Sequence, residues 1–398
     1  HTGAYTMIKV PGFLGAGVSS GIKKNGKKDL GLIFSKVPAR AAGVFTTNIV
    51  KAAPVLLGME KIKSGLCQAI IVNSGNANVS TGKRGLKDAA LTTKLVAKEL
   101  GIGETLVIPS STGVIGVYLQ IEKIVNAIPE LVSKLSEDGF LDTAEAIMTT
   151  DRFPKYSSAQ MKIDGKVGTI CAIGKGAGMI APQMATMLCY ILTDLNIDLK
   201  AQKSALKNGV DNSFNRIIVD GDTSTNDTVV MLSNGNLGNK PIREGDKNHK
   251  RFEKLLTELA TEIAEMIVRD GEGATKVVKI SVKGSKTQKD AEKIARVIGS
   301  SLLVKTAFYG EDANWGRVLA AAGRAGVKFD PSRVDLYFGN HKIVKNGVEI
   351  MDESEVDHIL KQPSFPITLD LKSGKSSHFV IASDITIDYL KINAHYRT

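Results

Sequence analysis

The sequence predicts an α/β chain, of the α+β or layered α/β type, in which mixed sheets are covered by helices. Two observations predict it. Short apolar runs open into loops rich in Ser, Asn and Gly, and stretches of helical period lie between them. No internal repeat or low-complexity tract competes with that reading.

The elements follow in order. "CQAIIVN" (67–73) and "TLVIPSS" (105–111) read as buried strands. Between them "RGLKDAALTTKLVAKELG" (84–101) reads as a helix closed by Gly101. "QIEKIVNAIPELVSKL" (120–135) is helical, with Pro129 expected to kink it or split it in two. Over 251–269, Phe252, Leu255, Leu256, Leu259, Ile263, Met266 and Ile267 share one face at helical spacing. "TVVMLSN" (228–234) and "KVVKISVKG" (276–284) read as strands. A division is expected near 284–288, separating a main unit, 1–284, from a smaller C-terminal unit, 285–398. The second unit starts with a helix (290–302) and continues in strands at 334–339, 367–374 and 377–393.

Composition narrows the class. The chain has 398 residues, 43% of them hydrophobic, which is ample for more than one core. No apolar run reaches the ~18 residues of a membrane helix. The start, "HTGAYTMIKV", lacks the charged and apolar regions of a secretory signal. Cys67, Cys171 and Cys189 sit in apolar segments whose spacing fits neither zinc nor a disulfide framework, which predicts reduced thiols in a cytoplasmic protein. The six histidines are scattered, so no metal site is expected. The net charge of +11 raises the question of nucleic acid. The densest basic run, "KKNGKK" (23–28), has no aromatics, and elsewhere Lys alternates with acids, which predicts a solvated surface favouring small anions.

Chemistry is expected in the polar loops. These are "NSGNANVSTG" (73–82), "IPSSTGVIG" (108–116), "MTTD" (148–151), "VDGDTSTND" (219–227), "RDGEGATK" (269–276) and "YGEDANWGR" (309–317). Each also has a plain reading as a turn with satisfied hydroxyls. "GKGAGM" is not a phosphate loop, because GxxxxGK[ST] is absent and an apolar strand follows. "DGDTSTND" lacks the spacing and closing glutamate of a calcium loop.

The segment "GKGAGMIAPQMATMLCYILTD" (174–194) places a glycine-rich approach before a buried strand that opens with Thr186. A threonine hydroxyl needs a base, and its own α-amine serves once the preceding peptide bond is cut. The junction therefore reads either as a self-cleavage site between Ala185 and Thr186 or as a β-branched residue opening a strand.

"KGAGMIAPQMATML" resembles the signature of the ornithine acetyltransferase (glutamate N-acetyltransferase) family of arginine biosynthesis. "NSGNANVSTG", "STGVIG", "MTTD", "DGDTSTND", "GEGATK", "GEDANWGR" and the terminal "NAHYRT" support it in order across nearly the whole chain. The resemblance implies an α/β/β/α architecture like that of N-terminal-nucleophile enzymes, with a smaller C-terminal α+β domain whose tail returns to the active site. It implies cleavage between Ala185 and Thr186, into chains 1–185 and 186–398 that stay together, two copies of each. By resemblance, Thr186 is the nucleophile and Thr112 and Gly113 form the oxyanion hole. Thr149, Lys175, Thr186, Glu272, Asn393 and Thr398 bind substrate.

The implied reaction moves acetyl from N-acetylornithine to glutamate through an acetyl-threonine, with neither metal nor organic cofactor. Acetyl-coenzyme A stands open as a second donor. The residue types suit this chemistry: Lys175 can meet a carboxylate and Glu272 an ammonium. The rival expectation is a self-cleaving aminopeptidase or amidase of the same broad fold, in which water resolves the acyl-threonine.

Overall fold

The computed structural model describes residues 9–181 and 187–397. Ala185, Thr186 and Thr398 lie outside the described residues.

The main sheet begins with β1 (Phe13–Val18), β2 (Leu30–Phe45), β3 (Leu66–Asn76) and β4 (Val107–Val114). It continues with β5 (Lys155–Ile163), β6 (Lys166–Lys175) and β7 (Leu188–Thr193). After β8 (Ile217–Ile218), which belongs elsewhere, β9 (Thr228–Ser233) completes it. Its eight strands run β4-β3-β2-β9-β7-β6-β5, with β1 antiparallel to β2. The sheet is mixed: β3/β4 and β7/β9 are parallel, whereas β2/β9 and β6/β7 are antiparallel. The helices of this part are α1 (Ala53–Lys61), α2 (Gly82–Leu100), α3 (Ile121–Ser133), α4 (Phe140–Ala146), α5 (Leu199–Asp211) and α6 (Lys247–Arg269).

Strand β2 divides the sheet into two layers. Its register with β3 shifts between Phe34 and Ala39, and its residues 40–45 then pair with β9. Pro38, which cannot donate to a ladder, falls in that interval. Ile33, Ile70 and Ile108 of one half meet Ile173, Tyr190 and Val230 of the other in a shared core. The alternation of strand side chains places the next residues on the outer faces. Thus Leu32, Ile71 and Val107 pack under α2 and α3, and Ile170, Cys189 and Met231 pack under α5 and α6. The order of layers is α/β/β/α, as the resemblance implied.

The second sheet contains β8, β10 (Val277–Ser285), β11 (Asp335–Phe338), β12 (His341–Lys345), β13 (Val348–Glu349), β14 (Ser364–Asp370) and β15 (Ser376–Ser383). Their order is β13-β12-β11-β14-β10-β15-β8. Helices α7 (Gln288–Gly299), α8 (Leu302–Tyr309), α9 (Trp315–Gly323) and α10 (Asp357–Leu360) accompany it. Ile294 and Ile298 of α7 bury one of its faces, while Ile381 on the other face joins the core under α6. Because β10 is part of this sheet, the chain has entered it before residue 284.

Two local expectations are corrected. Helix α3 is not split in two: it continues past Pro129, which lies on its exposed side, where water can satisfy the carbonyl that loses its partner. The segment 377–393 is not all strand: β15 ends at Ser383 and α11 (Ile387–His395) follows. Thr386 starts α11, its side chain accepting from the Tyr389 N–H at 3.1 Å and donating to the Gly273 carbonyl at 2.7 Å. Gly273 has φ +68°, and a Cβ there would lie 2.4 Å from the Tyr389 nitrogen, so only glycine lets the two segments meet.

Thr386→Ala is therefore expected to cost about 1–2 kcal/mol, the usual value of a lost N-cap, measured by urea unfolding. Unchanged stability would show that α11 docks without this hydroxyl.

Candidate active site

One cleft of about 150 Å³ is bordered by residues from distant parts of the chain. The end of β4 gives Thr112 and Gly113, the loop after α4 gives Thr149 and Thr150, and the end of β6 gives Lys175. The loop before β9 gives Asp220, Asp222, Ser224, Thr225 and Asn226, the loop after α6 gives Glu272, and α11 with the residue after it gives Tyr389, Asn393 and Tyr396. Every sequence-predicted site residue among those described lies here: Thr112, Gly113, Thr149, Lys175, Glu272 and Asn393.

At Gly113 the β4 backbone lies close against β3. Its φ is +135°, and a Cβ would lie 2.4 Å from the Gly75 carbonyl carbon and 2.5 Å from the Asn76 nitrogen. The β3/β4 register shifts at this point, between Gly75 and Asn76. The Asn226 side chain ties the neighbouring loops, donating to the Ala77 carbonyl at 2.7 Å and the Ser111 carbonyl at 2.8 Å.

Lys175 is 2% exposed. Its Nζ donates to Thr149 Oγ1 at 2.8 Å and to Thr112 Oγ1 at 3.2 Å. Burial pushes its pKa below the ordinary lysine range, Asp151 works against that, and the nearby Lys155 ammonium adds to it. Lys175 faces Leu188 across the β6/β7 pairing, so it stands at the start of β7, close in sequence to Thr186. The first described residue of that side, Met187, is fixed by its N–H, which donates to Asp227 Oδ1 at 2.9 Å. Full burial raises the Asp227 pKa well above the carboxylate range, more than the Met187 N–H lowers it.

Glu272 lies across the cleft. Its carboxylate accepts from Thr150 Oγ1 at 2.8 Å and from Asn393 Nδ2 at 2.6 Å. Its N–H donates to the Ala177 carbonyl at 2.8 Å, fastening it to the glycine-rich approach. A Cβ on Gly178 would sit 2.5 Å from the Glu272 carboxyl group, so that glycine makes room for the acid. Asp220 holds the same approach, accepting from the Met179 N–H at 2.6 Å and the Ile180 N–H at 2.8 Å. Burial raises the Asp220 pKa, and the Tyr389 hydroxyl donates to it at 3.3 Å.

Behind Lys175 lies a charge network that single motifs did not disclose. Asp151 Oδ1 accepts from Lys155 Nζ at 2.7 Å and from the Gly176 N–H at 2.8 Å. Its Oδ2 accepts from the Thr149 N–H at 3.1 Å and lies 3.9 Å from Lys175 Nζ. Lys155 Nζ also donates to Asp270 Oδ2 at 2.6 Å, and Asp270 accepts from the Arg152 N–H and Nε. Lys155 and Asp270 are 0% and 1% exposed. Burial alone would raise the Asp151 pKa, but Lys175 and Lys155 outweigh it and hold the carboxyl well below its usual range. "MTTD" and "RDGEGATK" drew attention to Asp151 and Asp270 as parts of polar loops. Lys155 gave no signal.

The arrangement can receive a small molecule with ends of opposite charge, an ammonium of the protein on one side and a carboxylate on the other. Hydroxyls and the glycine turn of β4 stand between them.

Comparison with known proteins gives a consistent match. The ArgJ family model matches residues 15–398. The chain is similar to the arginine biosynthesis bifunctional protein ArgJ of Thermotoga neapolitana, 50% identical over 98% of this chain and 100% of that one. It is 47% identical to the same protein of Symbiobacterium thermophilum, over 97% of each chain. Among solved structures it is similar to the arginine biosynthesis bifunctional protein ArgJ of Bacillus halodurans, 41% identical, covering 45% of this chain and 92% of that chain with a TM-score of 0.42. Carried by a family match across almost the full sequence and by near-complete relatives at about half identity, the conclusion is that the chain belongs to the ArgJ family.

Proposed function

We propose that the chain is an acyltransferase that moves acetyl from N-acetylornithine to glutamate through an acetyl-threonine at Thr186. The observation that carries this reading is the pairing of Lys175 and Glu272 across one small cleft at the start of β7. A substrate with a carboxylate and a side-chain ammonium is complementary to both.

The chain is first cut between Ala185 and Thr186, which frees the amine of Thr186 to act as base. Thr186 Oγ attacks the acetyl carbonyl while the amine takes its proton. Thr112 and the Gly113 N–H stabilise the oxyanion, the C–N bond breaks, and the proton passes to the departing ornithine nitrogen. Glutamate enters, its amine attacks the acetyl ester, and the Thr186 hydroxyl is regenerated. Lys175 takes the carboxylate of either amino acid, and Glu272, steadied by Thr150 and Asn393, takes the ornithine ammonium. Thr149 and, by the family resemblance, Thr398 serve substrate binding as neutral donors and acceptors. The two cut chains stay together, two copies of each, and acetyl-coenzyme A in place of N-acetylornithine tests for a second donor. Two half-reactions in one pocket, joined by the acetyl-enzyme, give ping-pong kinetics. The test is an assay of acetyl transfer to glutamate against acetate release. Release without transfer would replace the transferase by the hydrolase.

Three outcomes are expected. The purified protein runs as two bands, the second beginning Thr-Met-Leu-Cys; Thr186→Ala stays uncut and inactive, and an active but wholly uncut preparation would rule out the amine as base. Thr112→Ala lowers kcat by about 10²–10³ with a modest change in KM, as the loss of an oxyanion donor does; an effect on KM alone would move Thr112 to substrate binding. Deleting residues 394–398, which removes Tyr396 and Thr398, leaves cutting intact and raises KM for both amino acids. Wild-type kcat/KM in that truncation would make the tail a bystander.

A further inference from the structure

The ammonium of Lys155 is spent entirely inside the protein. Its three hydrogens meet Asp151 Oδ1 at 2.7 Å, Asp270 Oδ2 at 2.6 Å and the Phe153 carbonyl at 3.4 Å, with the Phe153 ring 4.7 Å away. It touches no part of the cleft. Yet Asp151, which it grips, lies between it and Lys175, and the two lysines divide that carboxylate unequally. Lys155 has the hydrogen bond, whereas Lys175 stands off at 3.9 Å, beyond hydrogen-bond range.

That inequality decides where the Lys175 charge is spent. A buried ammonium and a buried carboxylate attract strongly at low dielectric and close into direct contact when nothing restrains them. Here Asp151 is restrained by Lys155 and by the Gly176 and Thr149 N–H groups, all of which use its two oxygens. The Lys175 ammonium rests instead on two neutral hydroxyls, Thr112 and Thr149, which border the cleft.

We propose that Lys155 is a positioning residue for Lys175: by holding Asp151 from the far side, it keeps that carboxylate from capturing the Lys175 ammonium and leaves the charge for the substrate's carboxylate. Asp270 holds Lys155 in turn, and Arg152 covers Asp270 from outside. The inference rests on the reading of Lys175 as the residue that takes the substrate carboxylate.

Lys155→Met is the direct test, since it leaves Asp151 and Asp270 facing Lys175 and Arg152 without an unpaired charge and fills the space with a flexible apolar chain. The crystal structure of K155M is expected to show Lys175 Nζ within hydrogen-bond distance of Asp151 and detached from Thr149 Oγ1. KM for N-acetylornithine and for glutamate should rise about tenfold, the worth of a charge-assisted hydrogen bond, with a smaller change in kcat. Adding Asp151→Asn should bring KM back toward that of D151N alone, because Lys155 then has no carboxylate to restrain. This pairwise comparison also serves if K155M by itself does not fold. The proposal is overturned by a K155M structure in which Nζ stays on both hydroxyls. It is equally overturned by wild-type KM values in K155M, or by a KM that K155M still raises when D151N is already present. A wild-type enzyme without acetyl exchange sinks the proposed function instead, and the Nζ position still decides this inference.

Discussion

Opposite charges are buried side by side at the rear of this cleft, and the surrounding structure is arranged so that none is left alone. An isolated buried ion is costly enough that it would lose its charge. The row Lys175, Asp151, Lys155, Asp270 and Arg152 avoids this by alternating sign from the cleft to the surface. It also joins the end of β6, the start of β5, the loop after α4 and the C-terminus of α6. Asp270 lies 115 positions from Lys155, so the alternation is completed only in the folded state. The geometry of the Thr112, Thr149 and Lys175 contacts therefore depends on packing that spans both halves of the main sheet.

The front of the cleft obeys a steric rule. Glu272 approaches the 174–181 segment closely only because residue 178 has no side chain, and α11 approaches the Glu272 loop only because residue 273 has none. Two glycines thus set the distance between the acid and its neighbours, and the Thr150 and Asn393 side chains then fix its rotation. Asp220 performs the corresponding service for the backbone of Met179 and Ile180. The acid is held by donors on both sides, so its orientation is set before any ligand arrives.

Much of this could be read in the sequence, and the exceptions have physical causes. Helix α6 declared itself through an apolar stripe, and the strand-to-loop transitions marked segments that do converge. Helix α11 did not, because Ile387 and Leu390 are largely exposed and its β-branched start imitates a strand. What makes it a helix is the Thr386 cap and the contact at Gly273, a tertiary event. Pro129 does not split α3, because at an exposed position the carbonyl that loses its partner can turn to water and the helix continues beyond it. Lys155 is one lysine among many, and its meaning comes from Asp270, 115 positions away, which local pattern cannot supply. Tyr389 and Tyr396 were hidden with the helix that brings them in.

The order of strands in the main sheet has a further consequence. Strands β7 and β9, from the later part of the chain, lie between β2 and β6, from the earlier part. Were the backbone opened between β6 and β7, each piece would hold strands flanked by strands of the other. The β2/β9 ladder and the β6/β7 ladder would be the two seams. To separate the pieces both seams would have to part at once, in the middle of a sheet buried on both faces. Neither piece could bury its own apolar strands afterwards. A nick at that place is thus topologically silent: it changes the covalent chemistry at one point and leaves the assembly interleaved, like two hands with fingers crossed.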